Sequence, residues 1–428
     1  MTVAFESGYT LPGGDLPLNH ARMLHRGNRF HSRLVSASAE ATGFDATAAD
    51  NAMTDDAWKP FSNEFDSPSD FSTADWTEAN LTVGSDNQTL TETAATGAHS
   101  LTYTGTALSP DGSEYVIGVR VKVMSFNRIL ALVFRDSASA FHRVYVDFAA
   151  GTVTNITGTM NGDLYDVGNG EYLVSAYYTP ASGALTLASF FFLEQGTFAS
   201  SFAGDTTQTL RIIEVSHHKS TATWDFEGFS AEEGDVFCVA AHNVGSGSGR
   251  LAFSHDSNTD DTYTSIGTVS PADDSPVMFI HEGITSSRWR ITVDRCPLPR
   301  IGVIRIGKLL QWERPFYGGF SPAIGNRQTV MRGNMSIGGQ WLGRTKVRTG
   351  FATQYAWSNL SQQWVRDNLL GVNGALRALE DEPFFIAWRS SAESDCDYAW
   401  TSGQGGWANS GIRDLTTFAI DAESYGYE

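Results

Sequence analysis

The chain has 428 residues, which is long for one compact core and suggests about three domains. Its 29 Lys and Arg against 48 Asp and Glu give a net charge of −19 and argue against nucleic-acid binding, because non-specific binding to phosphates needs clustered cations. The 42 Gly, 26 Phe, 14 Tyr and 11 Trp are typical of many short strands joined by tight turns, and they predict a mainly β protein.

The N-terminus, MTVAFESGYTLPGGD, lacks the basic and apolar regions of a secretory signal, and no apolar stretch is long enough to span a bilayer. Cys238, Cys296 and Cys396 are too few and too scattered for a disulfide framework, and none lies in a C-x-x-C pair. Buried thiols are expected instead. The sequence therefore predicts a chain that is synthesised in a cytoplasm without a signal peptide and does not insert into a membrane.

Residues 20–62 and 221–310 carry the two halves of one β-sandwich pattern. The second half reads WDFEGF at Trp224–Phe229, FCVAAHN at Phe237–Asn243 and RWRITVD at Arg288–Asp294, and the first half contributes ATGFDATAADNAMTDDAWKP at Ala41–Pro60. Together these segments resemble a discoidin (galactose-binding-like) β-sandwich in the version carried by bacteriophage tail proteins. A discontinuous domain of residues 1–65 with 219–310 follows, and Trp58, Trp224 and Trp289 are expected in its core.

Residues 66–218 form the predicted insert, whose strands show the period-2 alternation of a half-buried sheet. Val119, Val121 and Val123 alternate with Arg120 and Lys122. The valines of a second run at residues 143–148 alternate with polar residues in the same way. Asn161-Gly162 and the Gly-Asn-Gly run at 168–170 supply the positive φ angles of hairpin turns. The insert is predicted to be a sandwich in its own right.

Two segments of the insert, FHRVYVDFAAGTVTNITG at Phe141–Gly158 and VGNGEYLVSAYY at Val167–Tyr178, are similar to jelly-roll carbohydrate-binding modules common in phage tail proteins. Those modules have Trp-Tyr-Arg after the Gly-Asn-Gly turn, where this chain has Glu171-Tyr172-Leu173. Sugar rings stack on exposed aromatic side chains, so the candidates for sugar binding in the insert are Trp76, Tyr103, Tyr165, Tyr172 and Tyr178. Each of these residues has a core position as its alternative.

The acidic loop DSNTDD is the best candidate for a metal site. Asp256, Asn258 and Asp260 place oxygen ligands at alternate positions, as at the start of a calcium loop, and a solvated hairpin tip is the alternative. Apart from calcium, no cofactor is predicted. The acidic run at 380–382 reads as a turn between a helix and a strand. No catalytic constellation stands out, and the chain is predicted not to be an enzyme.

The residue pattern of 311–428 differs from that of the preceding segments, and it predicts a β-rich domain with one or two short helices. In the first helix Trp357, Leu360, Trp364 and Leu369 share a face, with Ser358 as the cap. The second runs through residues 375–379. Large aromatics dominate interface energetics, so this domain is expected to anchor the protein to its neighbours. The residues proposed for that assembly interface are Trp312, Trp341, Trp357 and Trp364.

The two resemblances imply a phage tail-tip or baseplate structural protein that resides in the virion. Its partners would be other tail or baseplate proteins and further copies of itself. Two roles of its sandwich modules stay open, namely recognition of a host surface glycan and a purely architectural role in which they decorate and stabilise the tail. One alternative is a polysaccharide-degrading tail enzyme with residues 311–428 as its catalytic domain. The other is a cellular lectin or adhesin, a class that usually carries a signal peptide and disulfides.

Overall fold

A computed structural model describes residues 2–6, 20–25, 32–37, 63–65, 67–297, 299–316, 327–335, 341–370, 374–388, 396–402, 406–409 and 414–424. These residues form antiparallel sheets with two short helices, which confirms the predicted mainly β fold class. Neither of the two described helices is long and apolar enough to cross a membrane. Trp58 lies outside the described residues.

Residues 67–219 form a two-layer sandwich. Three short strands precede it in the chain, namely β1 (Thr2–Phe5), β2 (Arg22–Leu24) and β3 (Ser32–Ala37). The strands of the sandwich are β4 (Trp76–Ala79), β5 (Leu81–Val83), β6 (Thr89–Glu92), β7 (Thr96–Tyr103), β8 (Tyr115–Ser125), β9 (Ile129–Arg135), β10 (Phe141–Asp147), β11 (Thr152–Thr157), β12 (Asn161–Gly168), β13 (Glu171–Tyr178), β14 (Leu187–Leu193), β15 (Ser201–Ala203) and β16 (Thr209–Lys219). The first insert sheet has the order β11-β10-β9-β14-β7-β15, with β4 also on β7, and the second insert sheet has the order β12-β13-β8-β16-β6-β5.

The alternation read from the sequence decides which side chains fill the space between these two sheets. On β8 the residues Val119 and Val121 are fully buried while Arg120 is exposed. The Gly-Asn-Gly run joins β12 to β13 as predicted, with φ of 95° at Gly168, 56° at Asn169 and 75° at Gly170. The resulting core includes Phe134, Phe190, Phe192 and Tyr178, so the insert has a hydrophobic core of its own.

The turn predicted at Asn161-Gly162 is not formed. Both residues open β12, where they pair with Tyr177 and Ala176. The chain turns just before them, at Gly158, whose φ of +79° is one that residues other than glycine rarely adopt. A Cβ at Gly158 would also collide with the carbonyl oxygen of Phe141.

Residues 221–307 form a single curved sheet. Its strands are β17 (Thr221–His242), β18 (Arg250–Asp256), β19 (Thr264–Val269), β20 (Val277–Asp294) and β21 (Ile301–Gly307). They have the order β19-β18-β20-β17-β21, with β1 added parallel to β20 and β3 antiparallel to β17. The long strands β17 and β20 shift register twice, and both of their halves contribute to one core, in which Phe237 lies 5.5 Å from Trp289. Trp224 and Trp289 are buried there, as predicted.

The C-terminal part of the chain forms the last sheet. Its elements are β22 (Leu310–Gln311), β23 (Arg327–Met335), β24 (Trp341–Ser361), α1 (Gln362–Asn368), α2 (Ala375–Asp381), β25 (Phe384–Ala387), β26 (Cys396–Thr401), β27 (Gly406–Asn409) and β28 (Leu415–Ser424). The strand order is β22-β2-β25-β26-β28-β24-β23, with β27 on β28. Strand β2, from near the N-terminus, thus completes a sheet whose other strands all lie beyond residue 309.

The first C-terminal helix is shorter than predicted. It begins after Ser361, whose Oγ accepts a hydrogen bond from the backbone N–H of Trp364 at 3.3 Å, so Ser361 and not Ser358 is the cap. Trp357 and Leu360 belong to β24, where they pair with β28. The apolar spacing of these residues fits a helix face, but sheet pairing and ring stacking hold them extended. The second predicted helix is confirmed as α2.

The described part of residues 1–65 is shared among three units. β1 and β3 join the curved sheet and β2 joins the C-terminal sheet. Residues 63–65 join the insert, because Phe65 lies in its core and the side-chain amide of Asn63 donates to the carbonyl oxygen of Val215 at 2.6 Å. The N-terminal segment therefore contacts all three units and does not belong only to the predicted discontinuous domain of residues 1–65 with 219–310.

A second apolar layer lies between the curved sheet and the C-terminal sheet. It contains Cys238 and Met278 on one side and Phe385, Cys396 and Tyr398 on the other. All three cysteines of the chain are buried and free, as predicted. Burial raises the pKa of Cys238 and of Cys396 well above the usual value for a thiol.

Asp235 lies at the register shift of β17 and is expected to weaken the fold at neutral pH. Burial raises the pKa of its carboxyl group to about 6, even though the backbone N–H of Leu309 donates to it at 2.7 Å. The folded state therefore holds the proton more tightly than the unfolded state, so the stability linked to this proton is lost as the pH rises from about 4 through 6. We expect Asp235→Asn to raise the free energy of unfolding by about 1–2 kcal/mol at pH 7.5 and to change little at pH 4. Denaturant unfolding of both proteins at the two pH values measures this, and an equal effect at both would contradict it.

Candidate functional site

The outward side of the first insert sheet carries an unusual set of half-buried aromatic and charged side chains. Along β10, Val144 and Val146 point into the core and are fully buried. Phe141, Arg143 and Tyr145 alternate with them, so they lie on the opposite side of the sheet, where each is half-buried. This outward side therefore differs from the polar surface that usually covers a sandwich.

Neighbouring strands extend this surface. In the sheet register Ala131 on β9 lies between Tyr145 on β10 and Phe191 on β14. A buried apolar floor of Ile129, Ala131, Val133 and Leu193 is surrounded by the half-buried side chains of Phe141, Tyr145, Leu187 and Phe191. We call these eight residues the aromatic face. Because two strand spacings separate the rings of Tyr145 and Phe191, their bases lie about 10 Å apart, with a small residue between them.

The edge of the aromatic face is formed by the loop that follows β14. Phe198 is 46% exposed and stacks on Tyr145, with 5.6 Å between ring centroids and 22° between planes. Next to it Asp147 accepts a hydrogen bond from the side-chain amide of Gln195 at 2.6 Å. The face therefore combines accessible ring surface with fixed polar groups, which is the combination that a flat ligand with polar substituents requires.

The aromatic residues predicted to bind sugar lie elsewhere. Trp76, Tyr103 and Tyr178 are 3%, 9% and 1% exposed and belong to the core of the insert. The indole N–H of Trp76 donates to the carbonyl oxygen of Ser67 at 3.1 Å, and the hydroxyl of Tyr178 is 2.8 Å from Nε2 of His217. The prediction that these three residues bind sugar is therefore wrong, because rings enclosed by the core offer no face to a ligand.

The other two predicted residues, Tyr165 and Tyr172, are half-buried in different places. Tyr172 packs against Phe148 at the edge of the insert core, with 5.3 Å between ring centroids. Tyr165 lies near Ser248, in the loop that joins β17 to β18, and burial raises the pKa of Tyr165 above the usual value. The structure therefore does not bring the five predicted residues together in one site, and none of them belongs to the aromatic face.

A cleft between the insert and the curved sheet has a volume of about 340 Å³ and is lined by Arg120 and Leu173 of the insert and by Ser246 and Asp274 opposite. Charged groups at this boundary are paired with each other, since Arg295 forms a bidentate ion pair with Glu114 at 3.2 and 3.3 Å. The boundary is best explained as a polar contact between two units with separate cores.

The carboxylates of the predicted calcium loop are already bound by backbone N–H groups and by an arginine of the protein. The carboxylate of Asp256 accepts hydrogen bonds from the backbone N–H groups of Asn258 and Asp261, both at 3.0 Å. Burial acts to raise the pKa of Asp256, but the backbone N–H groups of residues 258–261 outweigh it and leave the pKa below its usual value. Arg288 lies 3.8 Å from the Asp256 carboxylate and 2.8 Å from that of Asp261, so a cation is already present.

Asp260 accepts instead from the backbone N–H of Thr262. The structure therefore corrects the calcium prediction, because it uses these residues to close a hairpin tip. In the described parts of the chain no three acidic, histidine or cysteine side chains are grouped as metal ligands.

The tryptophans predicted at an assembly interface are largely internal. Trp312 and Trp357 are fully buried and stack on each other, with 3.4 Å between ring centroids and 6° between planes. Trp364 is half-buried against them, 5.2 Å from Trp312. The side chain of Trp341 lies outside the described residues. Trp312 and Trp357 therefore form the core of the C-terminal unit and are not available to a partner.

The sequence contains one signal for the aromatic face. In the run FHRVYVD the valines mark the buried side, so Phe141 and Tyr145 must lie on the other side, next to Arg143. Two aromatic residues on the solvent side of a strand are a stronger indication of binding than aromatic residues chosen by type alone. The partner Phe191 was hidden in the apolar run SFFFL, whose alternation cannot be read without the sheet.

The chain is thus defined by its structure as a protein of several packed antiparallel β units, one of them an insert with an aromatic outer face. No protein-family model matches it, and no curated protein matches it. Solved structures that show some likeness include an allantoicase, with 10% identity, coverage of 65% of this chain and 91% of that chain, and a TM-score of 0.18. A GH78 family rhamnosidase from Bacillus sp. GL1 shows 9% identity, covering 59% of this chain and 36% of that one with a TM-score of 0.15.

A third structure holds the CBM32-1, CBM32-2 and M60 catalytic domains of ZmpB from Clostridium perfringens, with 7% identity, coverage of 67% and 38%, and a TM-score of 0.14. At such TM-scores these likenesses carry no argument about the activity of the present chain.

Proposed function

We propose that this chain is a glycan-binding β-sandwich protein and that the insert binds the sugar on its aromatic face. The observation that carries the proposal is the pair of half-buried rings, Tyr145 and Phe191, on either side of Ala131 on the outward side of the sheet. A pyranose ring has apolar C–H faces that stack on aromatic rings, while its hydroxyl groups need fixed polar partners at the rim. Asp147 and Gln195 supply such partners next to the rings.

The setting that we propose for this activity is a phage tail tip or baseplate in the virion. The support is the resemblance of residues 141–178 to carbohydrate-binding modules of phage tail proteins, and that of residues 20–62 and 221–310 to a discoidin-like unit. In this setting the protein binds other tail proteins and further copies of itself, and the insert attaches to a host surface glycan. Detection of the protein in purified particles by mass spectrometry tests the setting independently of the sugar site.

The sugar site is tested by removing its rings one at a time. Tyr145→Ala and Phe191→Ala should each weaken glycan binding by about 5- to 30-fold, because a stacked ring contributes about 1–2 kcal/mol to binding. Binding is screened on an array of bacterial envelope glycans, and the strongest ligand is then titrated by calorimetry. Tyr165→Ala is the matched control, because it removes a half-buried tyrosine from the opposite sheet of the same insert.

Three outcomes are decisive for this proposal. In the first, the glycan still binds when Tyr145 and Phe191 are removed and fails to bind Tyr165→Ala. That result would place the site at the boundary between the insert and the curved sheet. Absence of any bound glycan would refute the proposal. If the glycan is shortened during incubation, a hydrolase must be considered in place of a binding protein.

A further inference from the structure

Two arginines lie at one end of the aromatic face. Arg135 ends β9 opposite Phe141, and Arg143 follows Phe141 by two residues on the same side of β10. The guanidinium carbons of Arg135 and Arg143 are 5.2 and 4.1 Å from the ring centroid of Phe141. Cation–π contacts with a single ring therefore hold two positive charges within about 9 Å of each other on this face.

These two arginines differ from the other basic residues around them. Between residues 67 and 297, Arg135 and Arg143 are the basic residues that form no ion pair with a described carboxylate, and their Nε atoms are buried without a hydrogen-bond partner among the described residues. All other lysines and arginines in this range pair with a carboxylate, namely Arg120, Lys122, Arg128, Arg211, Lys219, Arg250, Arg288, Arg290 and Arg295. In a chain with a net charge of −19, this lack of carboxylate partners is an exception that needs a reason.

The nearby carboxylates are engaged elsewhere. Asp136, next to Arg135 in the chain, is buried, lies 3.2 Å from Nε2 of His142 and accepts two backbone N–H groups. Asp147 accepts from Gln195 and from two backbone N–H groups of the following turn. Placing two like charges side by side without a counter-ion is unfavourable, and an anion bound between them would remove that cost.

We propose that the aromatic face selects acidic glycans and that Arg135 and Arg143 bind the anionic group of the sugar. This inference rests on the proposed function, since it names the class of sugar bound at the same site. The guanidinium groups present planar, permanently charged donors that match a carboxylate or a sulfate, and Phe141 fixes them before the ligand arrives. The rings of Tyr145 and Phe191 then hold the sugar to which the anionic group is attached.

The test compares ligands that differ only in charge. Full-length protein is titrated with hexagalacturonate and with its methyl ester, and separately with dextran sulfate and dextran. We expect the charged member of at least one pair to bind at least tenfold more tightly than its neutral counterpart, with an advantage that falls as salt is raised from 50 to about 500 mM. The first pair probes carboxylates and the second sulfates.

The variants connect this preference to the two arginines. Arg135→Gln and Arg143→Gln should each reduce binding of the charged ligand about tenfold and leave binding of the neutral ligand unchanged, because only a charge-assisted hydrogen bond is lost. Arg211→Gln is the matched control, because it removes the same charge from the other insert sheet. Melting curves of all variants verify that they are folded.

Each result is informative about one of the two proposals. If charged and neutral ligands bind equally well, and this binding is lost in Tyr145→Ala, the inference is overturned and the proposed function stands. A charge preference that persists in the double variant Arg135→Gln/Arg143→Gln would place the anion elsewhere. Absence of binding to charged and neutral ligands alike, on these probes and on the glycan array, would overturn both proposals.

Discussion

Replacing Arg128 by methionine should destabilise the insert by about 3–5 kcal/mol, because it leaves a buried carboxylate without its counter-ion. Glu92 is 1% exposed, and Arg128 binds both of its carboxylate oxygens, at 3.0 and 3.2 Å. The backbone N–H of Asp205 donates to the same carboxylate at 2.8 Å, and the guanidinium of Arg128 lies 4.5 Å from the ring centroid of Phe202. The arginine therefore joins three segments of the insert at one edge.

Native-state hydrogen exchange is the appropriate measurement, because it reports the opening of each unit separately in a protein with several cores. Amides of β8 should lose protection in Arg128→Met, and those of β24 should not. Arg211→Met is the control, since the ion pair of Arg211 with Asp86 is exposed, at 3.6 Å, and is expected to contribute less than about 1 kcal/mol. Removing both partners in Arg128→Met/Glu92→Leu should recover part of the loss. Equal effects of Arg128→Met and Arg211→Met would contradict this explanation.

Trp312→Ala should destabilise the C-terminal unit by about 3–5 kcal/mol, as expected for a large aromatic side chain removed from a core. Trp312 is fully buried, stacks on Trp357 and lies 5.7 Å from Phe418. Its backbone N–H donates to the carbonyl oxygen of Ala21 at 3.0 Å, so the residue also connects the N-terminal segment to this unit. The indole N–H has no hydrogen-bond partner among the described residues, and the loss of this unsatisfied donor offsets a small part of the cost.

Trp407→Ala is the matched control for this prediction. Trp407 lies in the same sheet and is 54% exposed, so its removal should change the free energy of unfolding by less than about 1 kcal/mol. Denaturant unfolding followed by tryptophan fluorescence distinguishes the two variants. A Trp312→Ala protein with unchanged stability but lost association with its partners would instead restore Trp312 to the assembly interface.

Much of the fold could be predicted because the evidence for it is local. The alternation in β8 identifies Val119 and Val121 as buried, and the structure agrees. The Gly-Asn-Gly run at residues 168–170 specifies a hairpin, since its backbone requires positive φ angles. The helix containing Trp357 was misjudged because apolar residues three and four apart suit a helix and also occur by chance in a buried strand.

For the candidate site, only the kind of residue and its location in the insert could be predicted. Residue type predicts that aromatic residues of the insert bind sugar, but it does not show which side of a sheet Trp76 and Tyr178 occupy. A ring is available to a ligand only when its strand turns it outward and no other element covers it. That condition depends on the pairing of β9, β10 and β14, which are joined by strand register and not by sequence distance.

The β class, the hairpin at residues 168–170 and the free, buried state of the cysteines could be predicted without coordinates, because each depends on residue type and on periods of a few residues. The coordinates were needed to show that β2 completes the C-terminal sheet, that Trp312 stacks on Trp357, and that Arg135 and Arg143 share the ring of Phe141. These contacts join strands that are distant along the chain, or they depend on sheet register. The pattern within one strand shows which residues turn outward, and only the pairing of the strands determines what they meet there.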